Sequence, residues 1–541
     1  MKLHYAIIIL VCAIPLYCQT LLWHKEYNGI GGLGAGILDA TIDANINVYV
    51  TGYTSSHPTE DGYDITTIKY NKLGEELWRT TTDIFVHEQA HSICRDANGN
   101  VYIAGWSYDG SNYRLVVLKY NSSGVVIAHN WDEIQNAAYQ ASGKFKIVLD
   151  NSGNIYVSTQ KGTDCWLISF TNNCSYRWQD ILDFGGIDDL IDMIIDQYNN
   201  LVVVGRVETP IGQVMDKDIW VAKYNISDSP GYCIWSHKYQ PDPEYATESC
   251  GDVVLDYAGN IYVAGTSNIN SPYKHPIVLK YNSDGTLLWA YHYYDPQNRS
   301  CCPLDIVVNG NSGIPFITGW VYDTYTKENV LTMAVNSSGT NYLWKDEYGG
   351  SKIDEGYEVG ITGAAVYVSG YYSTSDGSSS YPLTMCYNQE TGHRNWAVTY
   401  DYGPNSNGKS WNVAVNQLGD YHYIVSAGGK QNPYATATLL YKFLGGNETP
   451  PGNEEPMFYT QMYPNPTNEI IRIRLSLPAD QKVQVDLYSA TGLLIDNIYN
   501  GFVNTGINEF SYKPKSLSAG VYFVSFRISN KQKIEKVIFQ R

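Results

Sequence analysis

A single repeated phrase constrains this chain more than any other feature. It reads DANINVYVTG from Asp43, DANGNVYIAG from Asp96, DNSGNIYVST from Asp150, DQYNNLVVVG from Asp196 and DYAGNIYVAG from Asp256, with weaker copies at Asn309, Thr362 and Asn416. The eight anchors stand 53, 54, 46, 60, 53, 53 and 54 residues apart. A unit of that length has the size of a four-stranded propeller blade, which hides its faces only against copies of itself.

Each unit divides into four runs. An apolar run ends at the anchor, as in DVVLD (252 to 256), and an Asn/Gly turn leads into an alternating run such as NIYVAG (260 to 265). A third run ends in Lys-Tyr-Asn, as in IVLKYN (277 to 282), and a Trp-bearing run follows, LLWAYHYY (287 to 294). Period-two alternation cut by Asn-Gly punctuation predicts hairpins. Trp-bearing runs lie at Trp23, Trp78, Trp131, Trp178, Trp235, Trp289, Trp344 and Trp396. The first precedes any anchor, and the last anchor has none after it. Residues 21 to 27 are therefore expected to complete the last blade, which removes the exposed strand edges. The expected fold class is all-β, an eight-bladed β-propeller; seven blades is the alternative, because the eighth anchor is the poorest copy.

Composition agrees with this and narrows function. Of 541 residues 44% are apolar and only 17% charged, and 48 Tyr stand beside 48 Gly. That mix favours strands and turns over helices or coiled coils. A net charge of -18 repels nucleic acid and excludes it as a partner.

The first residues, MKLHYAIIILVCAIPLYCQT, join a positive Lys2 to a short apolar run, which predicts a secretory signal peptide over 1–18 cut between Cys18 and Gln19. Acylation at Cys18 is the alternative. No later run reaches the ~18 apolar residues of a membrane helix, so no transmembrane segment is expected. Eight cysteines remain, at 94, 165, 174, 233, 250, 301, 302 and 386; with no paired spacing, mostly buried thiols and at most one or two bridges are expected. The propeller spans 19–446. Gly, Pro and Glu over 447–457 make a linker, and a separate module follows at 458–541. Residues 457 to 541 carry ten Lys/Arg against six Asp/Glu, a charge of +4, whereas the rest without Lys2 carries 25 against 48, or -23. Alternating runs at 470–477, 482–489, 521–528 and 534–539 predict a small Ig-like β-sandwich.

Two family resemblances follow from these residues. The phrase D-x-x-G-N-x-Y-V-x-G with its Lys-Tyr-Asn and Trp strands resembles the bacterial SBBP β-propeller repeat over roughly residues 21 to 443, a family usually described as seven-bladed. The tail resembles the type A C-terminal sorting domain of the type IX secretion system of Bacteroidetes. The matching residues are Tyr463, Pro464, Asn465 and Pro466 at its entrance, Gly492 after Ala490-Thr491, Gly520 and Tyr522 in LSAGVYF, and the closing Lys533 and Lys536. This resemblance implies the type IX secretion machinery as a partner, passage across the outer membrane, and a secreted or outer-membrane-surface location.

No catalytic residue is picked out, since HExxH, GxSxG and P-loop patterns are all missing. No cofactor and no metal is expected. Asp96-Ala97-Asn98-Gly99-Asn100 looks like the start of a calcium loop, but its recurrence in every strong unit assigns the Asp to its own turn. The second and fourth connections of each unit are long and dissimilar, and they emerge on one side of the disc, where ligand-binding residues concentrate. Tyr53, Trp106, Arg206, Trp320 and Tyr371, each just after the second strand, are the candidate ligand-binding residues. Acidic loop residues Asp61, Asp109, Glu244, Asp323, Asp354 and Glu355 would be the carboxylates of an enzyme. The leading reading is a non-enzymatic surface or secreted binding protein for an extracellular glycan or protein. The alternatives are a polysaccharide hydrolase or lyase acting on the same face, and a structural envelope component.

Overall fold

A computed structural model describes residues 20–539 apart from 31–33, 56–61, 135–144, 212–213, 242–246, 324–326, 350–352, 375–378, 401–406, 419–420, 432–434, 445–458, 464–469, 478–480, 491, 504–505, 515–516 and 529–530. The signal segment, the linker, Asp61, Glu244 and Pro464 to Pro466 lie outside the described residues. Thirty-nine strands and no helix occur among the described residues. The chain divides into two compact units, Met1–Asn447 and Glu448–Arg541.

The first unit is a succession of antiparallel four-stranded meanders, one per repeat, here called sheets 1 to 8 with strands a to d in chain order. They cover residues 35–82, 87–134, 146–182, 189–239, 249–292, 301–348, 355–399 and 407–444. Sheets 1 and 2 are linked by one parallel bridge, Tyr63 to His87. Sheet 8 supplies only three strands from its own repeat. Its outer place is taken by Thr20–Tyr27, which pairs antiparallel with Ala435–Leu444 from Thr20 opposite Lys442 to Tyr27 opposite Thr436. The expected pairing of chain start with last repeat is therefore observed.

The repeated phrase is the a–b hairpin, and its Asp performs one task five times. Asp43 Oδ1 accepts the backbone N–H groups of Asn45 (2.9 Å) and Asn47 (2.8 Å), while Oδ2 accepts Asn47 Nδ2 (2.7 Å) and the Tyr49 hydroxyl (3.0 Å). The turns at Asp96, Asp150 and Asp256 repeat this pattern, and Asp196 keeps it with Lys223 in place of the tyrosine. A carboxylate spent on its own turn fixes the hairpin, because buried acceptors and donors left open would each cost about 1–3 kcal/mol.

Apolar clusters lie between successive sheets rather than within them. Ile65, Ala90, Ile93 and Val116 join sheets 1 and 2, Trp344, Val359 and Met385 join sheets 6 and 7, and Tyr367, Trp396 and Leu439 join sheets 7 and 8. Another cluster combines Trp23, Tyr27, Val425 and Leu440 of sheet 8 with Ile37, Val48 and Val50 of sheet 1.

The strand-d tryptophans make the seams. A Cβ added to Gly74, Gly124, Gly231, Gly285, Gly339 or Gly392 would stand 2.3 to 2.7 Å from a ring atom of Trp23, Trp78, Trp178, Trp235, Trp289 or Trp344 respectively, so each indole lies flat on the c–d turn of the next sheet. Trp131 breaks the expected set of eight. Ala128, not Trp131, pairs with Lys119 in the register where Trp78 pairs with Lys69, and Trp131 is exposed. The turn that should receive an indole there carries Cys174 instead of glycine, at φ 57°. Indole and glycine are lost together, as a packing pair must be.

One further expectation needs correction. Second connections are not uniformly long: only two residues separate Lys161 from Asp164, and sheet 4 extends its b–c hairpin to two twelve-residue strands, Asn200–Ile211 and Val214–Asn225. No disulfide joins the eight cysteines among the described residues, and five of them are buried, as the reading of mostly buried thiols with at most one or two bridges expects.

The second unit holds a three-stranded sheet, Tyr459–Tyr463, Ile471–Leu477 and Gly506–Tyr512, and a four-stranded sheet in which Gln481–Ser489 lies between Leu494–Val503 and Gly520–Ile528, with Lys531–Phe539 outermost. Ile471, Ile473 and Leu475 from one sheet and Val485, Val524 and Phe526 from the other share one buried core. Gly492 takes φ 82° in the turn closed by its N–H to Ser489 O (3.0 Å), Tyr522 donates its hydroxyl to Ser518 O (3.0 Å), and Lys533 and Lys536 pair with Phe526 and Phe523 across the closing strands.

Candidate functional site

Four residues before each anchor, a polar side chain interrupts the apolar inner strand: Asp39, Ser92, Lys146, Asp192, Asp252, Asp305, Glu358 and Asn412. In seven of the eight inner strands the residue sits directly after a break in pairing register, which bends strand a and turns this side chain inward. Each reaches the next sheet. Asp39 Oδ2 accepts Ile93 N–H (2.8 Å), Ser92 Oγ accepts Ile147 N–H (3.3 Å), Asp305 Oδ2 accepts Val359 N–H (2.6 Å), and Glu358 Oε2 accepts Val413 N–H (2.7 Å). Lys146 Nζ pairs with Asp192 Oδ1 at 2.7 Å, and Asn412 Nδ2 donates to Asp39 Oδ1 at 3.2 Å, tying sheet 8 to sheet 1.

The charges on this belt are unbalanced. Burial raises Asp39 and Asp192; it pushes Asp252 up to about 7, Asp305 up to about 6 and Glu358 up to about 8, with neighbouring carboxylates adding to the effect. Burial would lower Lys146, but Asp192 and Asp252 outweigh it and hold it cationic. The belt explains cohesion between sheets; its groups are consumed by one another.

The sequence-derived candidates occupy one register layer at the start of the inner strands. Tyr53 pairs with Gly36, Trp106 with Gln89, Arg206 with Asp189, Trp320 with Cys302 and Tyr371 with Glu355. Their environments differ. Trp106 is 8% exposed, donates Nε1–H to His91 Nε2 (3.0 Å) and belongs to the apolar cluster between sheets 2 and 3. Arg206 is ion-paired to Asp189, which also accepts from Gln160. Tyr53 packs edge-on against Tyr63 at 5.0 Å, and Trp320 is half-buried. Asp109 closes its own turn and pairs with Arg114 at 2.8 Å, and buried Asp354 accepts the Ser373 N–H at 2.6 Å.

Tyr371 and Glu355 come together with three residues that sequence reasoning missed. The Tyr371 hydroxyl donates to Glu355 Oε1 at 3.2 Å, Tyr357 stacks on Tyr371 at 5.8 Å, and Lys409 Nζ of sheet 8 sits 3.8 Å from the Tyr371 ring centroid. Glu328 of sheet 6 shares a hydrogen bond with Glu355. Burial and that neighbouring carboxylate push Glu328 up to about 7. Burial lowers Lys409, and burial together with Glu355 raises Tyr357 and Tyr371. Three adjacent sheets thus converge an acid pair, two phenols and an ammonium, the concentration of perturbed groups that marks functional sites. Glu328 and Lys409 carried no local motif because they meet only through the seams; Tyr357, two residues after Glu355, was legible by alternation.

The fold and tail define the class of protein. Residues 461–540 match the model of the secretion system C-terminal sorting domain, and residues 97–126 match a β-propeller domain of unknown function, DUF5122. The chain is a β-propeller protein with a type IX sorting domain, secreted and destined for the cell surface. Among the described residues no helix is long and apolar enough to cross a membrane.

Particular relatives are remote. No curated protein matches the chain. Among solved structures it is similar to PorZ, a surface component of the type IX secretion system of Porphyromonas gingivalis, at 13% identity and a TM-score of 0.37, covering 94% of this chain and 76% of that one. It is also similar to a family PL25 ulvan lyase, at 13% identity and a TM-score of 0.44 over 70% of this chain and 98% of that one, and to a protein of unknown function from Dyadobacter fermentans, at 9% identity and a TM-score of 0.34 over 65% and 93%. These likenesses assign no ligand or reaction to the chain.

Proposed function

We propose that the chain is an exported surface protein whose body is a closed eight-bladed β-propeller of SBBP-like repeats and whose role is to bind an extracellular glycan or protein. On this reading 1–18 is the signal peptide, 19–446 the propeller, 447–457 the linker and 458–541 an Ig-like sandwich read by the type IX machinery. The belt from Asp39 to Asn412 and the shared core of sheets 8 and 1 support closure and the count of eight.

The cluster of Glu328, Glu355, Tyr357, Tyr371 and Lys409 carries the binding reading. The half-buried Tyr357 ring offers an apolar face to a sugar, backed by Tyr371, which is only 4% exposed, while the carboxylates and the ammonium take its hydroxyls or acidic groups. A second reading, acid–base chemistry on a polysaccharide, is favoured by one arrangement: Glu328, pushed up to about 7 by burial and by Glu355 hydrogen-bonded to it, stands in one cluster with an amine lowered by burial. A screen of the purified mature chain against glycans and polysaccharides, with release of reducing or unsaturated ends followed in parallel, separates the two. Saturable binding without product supports the first reading, and product formation abolished in Glu355→Gln supports the second. Neither binding nor product would remove both.

A further inference from the structure

The seams between sheets contain a second acidic feature, away from the belt and the glutamate cluster. At each seam three positions meet: the start of strand c and the end of strand d of one sheet, and the start of strand a of the next. Register identifies the equivalents, since the strand-c neighbours Ile65, Cys165, Ile219 and Val330 all face the last residue of strand d, Thr82, Leu182, Tyr239 and Tyr348. The trios are Asp64, Asp83, Glu88; Asp164, Asp183, Asp188; Asp218, Gln240, Glu248; and Asn329, Gly349, Asp354.

At the third seam the protein supplies a side-chain donor to one oxygen of each carboxylate and replaces the middle acid by an amide, while Glu248 Oε2 stays without a partner. Gln240 Nε2 donates to Asp218 Oδ2 at 3.2 Å, and the Ser267 hydroxyl donates to Glu248 Oε1 at 2.6 Å. The first seam lacks both devices. One oxygen each from Asp64, Asp83 and Glu88 lies within 4.8 Å of the others. Glu88 is fully buried; Oε1 accepts the Phe85 N–H, while Oε2 has no hydrogen-bond partner. Ser107, opposite Glu88 in register as Ser267 is opposite Glu248, is also fully buried with its hydroxyl unsatisfied. The second seam has the same three carboxylates, but Asp188 is satisfied through both oxygens, by the N–H groups of Phe184 and Glu208 at 2.8 Å each.

We propose that Asp64, Asp83 and Glu88 form a binding site for a calcium-class divalent cation that clamps sheet 1 to sheet 2. Oxygen-only ligands select a hard cation, and carboxylates on two separate sheets suit the flexible coordination of Ca²⁺ better than the strict octahedron of Mg²⁺. Exposed Asp83 provides the route of entry, and the open Glu88 oxygen gains the partner the chain does not provide. The ligands are 19 and 5 residues apart, so no calcium-loop spacing announces them.

The test is calorimetric titration of the mature chain, stripped with chelator, with CaCl₂, alongside thermal unfolding with and without the cation. Wild type is expected to bind saturably, with Kd in the range of about 10⁻⁴–10⁻³ M typical of extracellular modules, and to unfold at higher temperature with calcium. Asp83→Asn, at an exposed position that leaves folding intact, is expected to weaken binding at least tenfold and lose the thermal response, whereas Asp183→Asn at the second seam keeps both. Absence of saturable binding to wild type up to about 10 mM, well beyond that range, would overturn the proposal. Unchanged affinity in Asp83→Asn would do so too, as would equal losses in both variants, which would trace the effect to general acidity.

Discussion

Replacing Lys146 by Met removes a cation from a belt otherwise made of carboxylates and neutral groups. Asp192 then keeps its place with one oxygen abandoned. In a dry interior the loss of one partner of an ion pair costs about 3–5 kcal/mol, and on an open surface about 0–1. The pair lies between these limits: the Asp192 side chain is only 7% exposed, whereas that of Lys146 is 42% exposed. About 2 kcal/mol at pH 8.5 is therefore expected for Lys146→Met. The loss must depend on pH. Asp39, Asp192, Asp252, Asp305 and Glu358 all have folded-state values raised by burial. The native state then binds more protons than the unfolded chain between about pH 4 and 8, so wild-type stability falls as pH rises through that window. Without Lys146 the carboxylates rise further and the fall is steeper, so the variant loses less at pH 5.5, below the values to which burial pushes Asp252 and Glu358, than at pH 8.5. Chemical denaturation of both proteins at pH 5.5 and 8.5 measures the contrast. An equal loss at both values, or none at pH 8.5, would refute a charge-balancing role for Lys146.

The seam pairing predicts coupled substitutions: Ala128→Trp alone should destabilise by about 1–3 kcal/mol through overpacking against Cys174, and Ala128→Trp with Cys174→Gly should recover most of it in denaturation experiments. Deleting residues 20–27 should leave Ala435–Leu444 as an open edge and promote self-association, visible as a shift in sedimentation. Ligand affinity or turnover should show an inflection near pH 7, where Glu328 takes up its proton on acidification, and Glu328→Gln should remove it; a profile unchanged in that variant would detach Glu328 from the site.

Much of the fold was legible because each repeat carries complete local instructions. The Asp of the a–b hairpin bonds within its own turn, so five residues of sequence suffice to announce it. The unmatched Trp23 strand announced its own partner by being surplus at one end where one was wanting at the other. Trp131 misled because an indole three residues out of register looks the same in a linear reading; only pairing shows Ala128 in the slot and Cys174 opposite it. The belt was visible in retrospect as a polar residue four before every anchor, an interruption easily passed over inside an apolar run. Of the candidate site, Tyr371 and Glu355 were reachable, since they follow strand ends. Glu328 and Lys409 were not, because their meeting depends on the angle at which three sheets pack, a property of no single repeat. Trp106 illustrates the converse: an aromatic at the same register position is drawn into the seam by His91 and the sheet 3 cluster, and Tyr371 is likewise buried, whereas Tyr53 and Trp320 stay half-buried.

The central claim, that the glutamate–tyrosine–lysine cluster is the ligand site and the belt is structural, is tested most directly by measuring affinity for the best ligand from the glycan screen in two variants side by side. Glu355→Gln should lose binding by tenfold or more while its unfolding curve stays close to wild type, and Lys146→Met at pH 5.5 should keep wild-type affinity. Retained binding in Glu355→Gln, or equal losses in the two variants, would contradict the account.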